Sequence, residues 1–231
     1  MTAPITIDRA FQGPTGSGQG GYTAGLAAYG LTAPIRADFH KRIPLGSPLD
    51  LKDVDGHSRE LCSGAELILK VAQTDTVIPT PPAVTVEAAL AGRDAYPAVG
   101  HEMVPECFSC GMREGSFEVW AGPIGDGTHY ATTWTPPDWT APDGRVEAPY
   151  TWAAIDCPAG AKTTLDSDPP RVALTGSMTA EILAAVEPGT TYVIVAWADA
   201  WRGRRRTSGA ALFDASGALL ARQSSLWIAL R

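Results

Sequence analysis

Cys107-Phe-Ser-Cys110 sets two thiols one short turn apart, a spacing that serves metal binding, redox chemistry or a plain structural fold-back. A zinc site wants four ligands, usually two such pairs or a pair plus histidines. His101 and His129 are the nearest histidines and lack finger spacing, so the thiols read as structural ahead of metal or redox chemistry, and no metal is expected. A second pattern is the loop Phe11–Gly21, made mostly of Gly, Pro, Ser, Thr and Gln, which runs into Tyr22-Thr-Ala-Gly-Leu-Ala-Ala-Tyr29 with apolar residues at helical spacing. The bare N–H groups of Gly20, Gly21 and Tyr22 at such a helix start could hold an oxyanion; alternatively the glycines serve only the turns of the loop. The loop has no Lys and no GK[ST] ending, and Gly16-Ser-Gly-Gln-Gly20-Gly21 does not fit GxGxxG, which excludes a P-loop and a dinucleotide fingerprint. A third is Trp201-Arg-Gly-Arg-Arg-Arg206, where Arg204 and Arg205 could grip phosphates in bidentate fashion or sit on a solvated hairpin tip. GxSxG is absent, and neither the histidines nor Ser177 and Ser208 form a recognisable triad.

Composition narrows the function classes. The chain has 231 residues and a formal net charge of −7. An acidic balance disfavours nucleic acid, whose phosphates need a basic footprint. No run approaches the ~18 apolar residues of a membrane span, and the start MTAPITIDRA has neither the basic nor the apolar region of a secretory signal. The expectation is a cytoplasmic protein with four reduced thiols rather than a disulfide framework.

The elements that must position these groups are separated by 24 Gly and 19 Pro. Extended segments are expected at Pro34–His40 and Ser58–Val71, and a short helix at Val84–Ala91 after the connector TVIPTPPA. Pro97–Met112 reads as irregular. Further strands are expected at Phe117–Trp120, His129–Trp134, Arg171–Thr175, Thr191–Trp201 and Thr207–Phe213. Asp214-Ala-Ser-Gly217 would turn the chain into a return strand, Leu219–Leu230. A helix at Pro149–Cys157 should stop at Pro158. Val193, Val195 and Trp197 alternate with Ile194, Ala196 and Ala198, so both faces of that strand should be covered.

Two short matches suggest duplication. Gln19–Ala28 aligns with Glu147–Asp156, each containing Tyr-Thr near the helix start, and Ser63-Gly-Ala-Glu-Leu67 returns as Ser208-Gly-Ala-Ala-Leu212. Each half would then hold one helix and several antiparallel strands, an α+β arrangement with residues 1–100 and 101–231 as the two repeats.

The segments Phe11–Ala28, Glu106–Gly111 (ECFSCG), Trp152–Gly160 (WAAIDCPAG) and Ser208–Leu220 resemble uncharacterised, mostly actinobacterial, double-hotdog proteins of the thioesterase superfamily. The resemblance implies a central helix wrapped by an antiparallel sheet, twice in one chain, with acyl-CoA or another acyl thioester bound between the repeats. No separate cofactor is implied, since coenzyme A belongs to the substrate. In one branch of the superfamily a helix reading HGG and then Ala-Asp carries the catalytic acid. Asp156 matches that acid, but Glu147, Ala148 and Pro149 replace His-Gly-Gly; in the first half Gly20 and Gly21 match, Gln19 replaces the His and Ala28 stands where the acid would be. A hotdog interface that joins the two halves could make one composite site: Asp156 would serve as base or nucleophile, or else only cap a helix end next to Pro158, while by their own chemistry Gly20–Tyr22 could be oxyanion donors and Arg204 and Arg205 could hold coenzyme A phosphates. The same fold can serve as a non-catalytic acyl-CoA or lipid-binding module, and a homo-oligomer of the double unit is compatible with the sequence.

Overall fold

A computed structural model describes residues 4–230, so Met1–Ala3 of the stretch read for a signal lie outside the described residues. The chain order is β1 (Ile5–Thr6), α1 (Gly20–Ala28), β2 (Ile35–Phe39), β3 (Pro48–Asp53), β4 (Ser58–Ser63), β5 (Glu66–Gln73), α2 (Val86–Asp94), α3 (Ala98–Met103), β6 (Gly122–Ile124), β7 (His129–Trp134), α4 (Ala148–Leu165), β8 (Ala173–Ile182), β9 (Tyr192–Ala198), β10 (Arg205–Phe213) and β11 (Leu219–Ala229). The strands form one antiparallel sheet in the order β1-β3-β4-β5-β2-β8-β11-β10-β9-β7-β6. The arrangement β1-β3-β4-β5-β2 is repeated by β7-β9-β10-β11-β8. The two sets meet where β2 pairs with β8, from Ile35 opposite Ala180 to Asp38 opposite Ser177. The element order is therefore duplicated. The two short sequence matches differ in value: Gln19 and Glu147 are both N-caps of the central helices, whereas Ser63–Leu67 spans the β4–β5 turn and Ser208–Leu212 lies inside β10. The chain crosses from one set to the other through residues 74–85, ahead of the expected boundary at residue 100, because α2 already packs on β6, β7 and β9.

The two central helices lie side by side under the sheet. Gly21 of α1 abuts Trp152 and Asp156 of α4, and Gly25 abuts Pro149, so the helices run antiparallel. A Cβ on Gly21 would stand 2.5 Å from the Trp152 carbonyl oxygen, and one on Gly25 2.6 Å from Pro149 Cα. The small residues at this i, i+4 spacing let the backbones approach. α4 does not stop at Pro158 but runs on to Leu165. Proline removes one helical hydrogen bond, and neighbouring carbonyls take side-chain donors from outside the helix: Ser109 Oγ donates to Ala153, Gln223 Nε2 to Ile155 and Ser208 Oγ to Ala159. Burial of both flanks supplies the rest, as tertiary packing usually does for helices.

β9 is covered on both faces, as its sequence suggests. Ile194 and Ala196 face the main core with Trp152 and Ile155. Val193 and Val195 join Ala89 of α2, Ala211 and Phe213 on the other side. The segment Phe117–Trp120 is not a strand. Glu118 has φ 53°, and the Phe117 and Val119 amides donate to the Phe108 and Ser109 carbonyls of the Cys107–Cys110 turn. The single extended segment expected at Ser58–Val71 is a hairpin, turned at Gly64 with φ +60°. No helix among the described residues is long and apolar enough to cross a membrane.

The end of α4 is held by charge. Lys162 and Arg206 are buried, and both bond the C-cap Asp166, whose carboxylate lies 2.8 Å from Lys162 Nζ. Burial pushes Asp166 up, but the hydrogen bonds from Lys162 and Arg206 outweigh it and hold the carboxyl below its ordinary range. A depressed folded pKa means that the stabilisation is present above the unfolded value of about 3.9 and disappears as pH falls through the folded value. Asp166→Asn, which strips two buried cations of their counter-charge, should therefore cost about 1–3 kcal/mol at pH 7, the lower range reflecting a part-exposed carboxylate. The gap between wild type and variant in urea melts should narrow as pH is lowered through the ordinary carboxylate range and beyond it.

Candidate functional site

The side chain of Gln19 caps α1 and reaches into the second half at once. Its Oε1 accepts the Tyr22 N–H at 2.6 Å, and its Nε2 donates to Asp156 Oδ2 at 2.8 Å. The Gly21 N–H donates to the same oxygen at 3.0 Å. Two donors from the first half thus clasp a carboxylate from the middle of α4. The other oxygen, Asp156 Oδ1, is buried and meets no donor at hydrogen-bonding distance. The residue is 4% exposed. Burial lifts its pKa to about 7, against the pull of the Gly21 and Gln19 donors and of the Thr175 hydroxyl near it.

Asp156 lies in the wall of a cavity of about 800 Å³ at the seam between the two sets of strands. That is the size of a small-molecule site. The loop Gly13–Gly20 and the segment Phe39–Ile43 form one side. α4 from Asp156 to Leu165, the start of β8 and the end of β11 form the other. Apolar lining dominates, with Phe39, Ile43, Leu165, Leu174, Trp227 and Ile228 among the larger side chains.

The expected oxyanion donors separate. The Gly21 N–H is taken by Asp156 and the Tyr22 N–H by Gln19, so neither is free for a ligand. The Tyr22 ring stacks on Phe11, with centroids 4.2 Å apart, in an aromatic cluster with Phe108 and Tyr150. Gly20 alone among the three lines the cavity, and its N–H has no partner among the described residues, as expected of a first-turn amide. Glycine at position 21 serves helix contact rather than access for a ligand.

The expected phosphate clamp also lies elsewhere. Arg204 donates through Nε to the Ala229 carbonyl at 2.9 Å, Arg205 opens β10 on the surface, and neither lines the cavity. The last arginine of the cluster, Arg206, belongs to the Asp166 network. The cations that do border the cavity are Lys41 and Arg42, just after β2. Lys41 pairs with Glu66 at 3.1 Å, and Arg42 donates to the Thr15 carbonyl at 2.6 Å. Nothing distinguishes them in the sequence, since they are an isolated pair of basic residues in a turn. Gln19 is the other residue whose part is hard to read from sequence: its only signal is its place where the resembling family carries a histidine.

No family model matches the chain, and no curated protein does. Solved structures do match along nearly its full length. A thioesterase candidate from Novosphingobium aromaticivorans superposes with TM-score 0.61 at 14% identity, covering 99% of this chain and 95% of that one. The match runs through both sets of strands and both central helices of this chain. The chain has the double-hotdog fold. The tesB protein of Mycobacterium avium subspecies paratuberculosis matches this double hotdog with TM-score 0.59 at 13% identity, over 94% of this chain and 89% of that one. A thioesterase II candidate from Thermobifida fusca gives TM-score 0.57 at 16% identity, over 99% and 92%. At these identities the likeness establishes the fold.

Proposed function

We propose that this double hotdog hydrolyses acyl thioesters, with coenzyme A esters as the substrate class. The reading rests on one observation above the others: Asp156, a carboxylate with a pKa near neutrality held by Gln19 and Gly21 of the opposite half, lines an apolar cavity and has one buried oxygen without a hydrogen-bond partner. A base is most effective when its pKa lies near the working pH. In this scheme Asp156 takes a proton from water as the water oxygen attacks the thioester carbonyl. The Gly20 N–H, at the positive end of α1, stabilises the oxyanion that forms. Collapse breaks the carbon–sulfur bond, and the leaving thiolate takes the proton back from Asp156, giving a free acid and a thiol. The apolar wall takes the acyl chain. A coenzyme A substrate would also suit the cytoplasmic location expected from sequence.

The test is a panel of acyl-CoA esters of increasing chain length, followed by release of free thiol. Saturable turnover with a preferred chain length is expected. Saturable binding without thiol release across the panel would replace the enzyme with the acyl-CoA-binding module on the same fold.

Arg42 should meet the anionic part of the substrate at the cavity mouth. Arg42→Ala should raise KM by about three- to tenfold with kcat unchanged, the signature of an interaction equal in ground and transition states. Replacing Arg204 and Arg205 together by Ala should change KM by less than about twofold, as rim charges outside a site do. Equal effects of the two changes would remove Arg42 from the site.

A further inference from the structure

The sulfurs of Cys107, Cys110 and Cys157 all lie within 4.8 Å of one another, with Cys107 Sγ 3.7 Å from Cys157 Sγ. We propose that these three thiols are a binding site for one thiophilic divalent cation of the zinc class, with its fourth ligand supplied from the cavity. A tetrahedral ion with Zn–S bonds of about 2.3 Å sets its sulfurs about 3.8 Å apart, which is the spacing of the Cys107–Cys157 pair. The CxxC lacks a second ligand pair in the sequence. α4 provides a third thiol fifty positions after Cys107, on the same face of the fold as Asp156.

The turn that presents the first two sulfurs is tightly built. A Cβ on Gly111 would fall 2.4 Å from the Pro105 carbonyl oxygen and 2.5 Å from that of Cys107, so only glycine closes it. The turn is fastened on both sides: the Phe108 N–H donates to the Gln12 carbonyl, Ser109 Oγ to the Ala153 carbonyl of α4, and Trp120 Nε1 to the Cys110 carbonyl. The Gln19 amide reaches Cys157 Sγ at 3.7 Å. Outer hydrogen bonds of this kind orient metal-bound ligands. Among the described residues no basic side chain bonds any of the three sulfurs. A divalent cation supplies the missing positive charge, and soft thiolates select zinc-class ions over magnesium or calcium. A disulfide would use two of the sulfurs and draw them to about 2.0 Å, leaving the third without a role. All three cysteines line the cavity, so three protein ligands assign the fourth position to a molecule there, the ligand pattern of a reactive rather than a closed structural zinc site. Binding converts three thiols to thiolates and releases up to three protons per ion.

The experiment uses the full-length chain, prepared without oxygen, reduced, stripped with chelator and titrated with cobalt(II). The expected result is one cobalt per chain, with thiolate-to-metal charge transfer and strong tetrahedral ligand-field bands that zinc then displaces. Cys110→Ser and Cys157→Ser should each weaken the charge-transfer band and lower cobalt affinity at least tenfold. Cys62→Ser, in β4 away from the cluster, should leave both unchanged. The wild-type titration is decisive without the variants: no charge-transfer band at one equivalent, or only weak octahedral bands, overturns the proposal. A disulfide joining two of the three cysteines in the oxygen-free protein also overturns it. None of these readouts depends on thioester turnover.

Discussion

Asp156→Asn should lower kcat by about 10²- to 10⁴-fold on any acyl-CoA that the wild type hydrolyses, the range a positioned general base contributes. The change is nearly isosteric. The side-chain carbonyl of asparagine can accept the same two hydrogen bonds from Gln19 and Gly21 that Asp156 Oδ2 accepts, and its amide nitrogen would take the place of Oδ1, the oxygen without a protein partner. Folding and substrate affinity should therefore survive while proton transfer does not, so the loss should appear in kcat with KM changed little. Gln19→Ala separates positioning from chemistry. It removes one donor to Oδ2 and the α1 cap together, and should cost about 1 kcal/mol of stability as an N-cap does, with activity reduced but not abolished. Retention of more than a third of wild-type kcat in Asp156→Asn would end the assignment of this carboxylate as the base.

The second large effect is structural. Gly21→Ala should destabilise the fold by about 2–4 kcal/mol. Alanine favours a helix over glycine by up to about 1 kcal/mol, but here its Cβ would lie 2.5 Å from the Trp152 carbonyl oxygen and 2.8 Å from Asp156 Cβ. Both neighbours belong to α4 and cannot rotate away, so the helices must part. Overpacking of that kind costs about 1–3 kcal/mol, and the parting also stretches the Gly21–Asp156 hydrogen bond, a charge-assisted bond worth about 1.5–3 kcal/mol. For a chain of this size the melting temperature should drop by roughly 5–12 °C. Gly20→Ala is the comparison: its Cβ would meet Asp156 Oδ2 and Phe39 no closer than 3.5 Å, an ordinary contact, so stability should hold. Calorimetry of the two variants measures the difference directly, and equal melting temperatures would mean that the helices are not locked at position 21.

That contrast marks how far the sequence could be read. Gly20 and Gly21 look alike in a glycine-rich loop; only the antiparallel approach of α4 shows that one faces the cavity and the other a helix backbone. The alternation in β9 was legible because each face meets its own apolar partner. The length of α4 was not, because Pro158 is a sound stop signal until side chains from Ser109, Gln223 and Ser208 take up nearby carbonyls. Phe117–Trp120 has strand-forming residues, yet its amides are claimed by the cysteine turn before any strand can pair with it. The Gln19–Asp156 link spans 137 positions, and Arg42 carries no local pattern at all. Local spacing reports on local backbone, whereas the residues gathered at the seam are brought there by the pairing of β2 with β8.

That pairing also determines what would happen to a broken chain. The connector between the two sets of strands has exposed residues, Val77 among them, and a protease cutting there would sever the covalent link between them. The fragments would stay associated, because separation would strip hydrogen-bonding partners from the facing margins of β2 and β8 and uncover the glycine-lined contact of α1 on α4. A clipped molecule should elute at the size of the intact one and come apart only in denaturant, making the continuity of the polypeptide less important to its persistence than the continuity of its sheet.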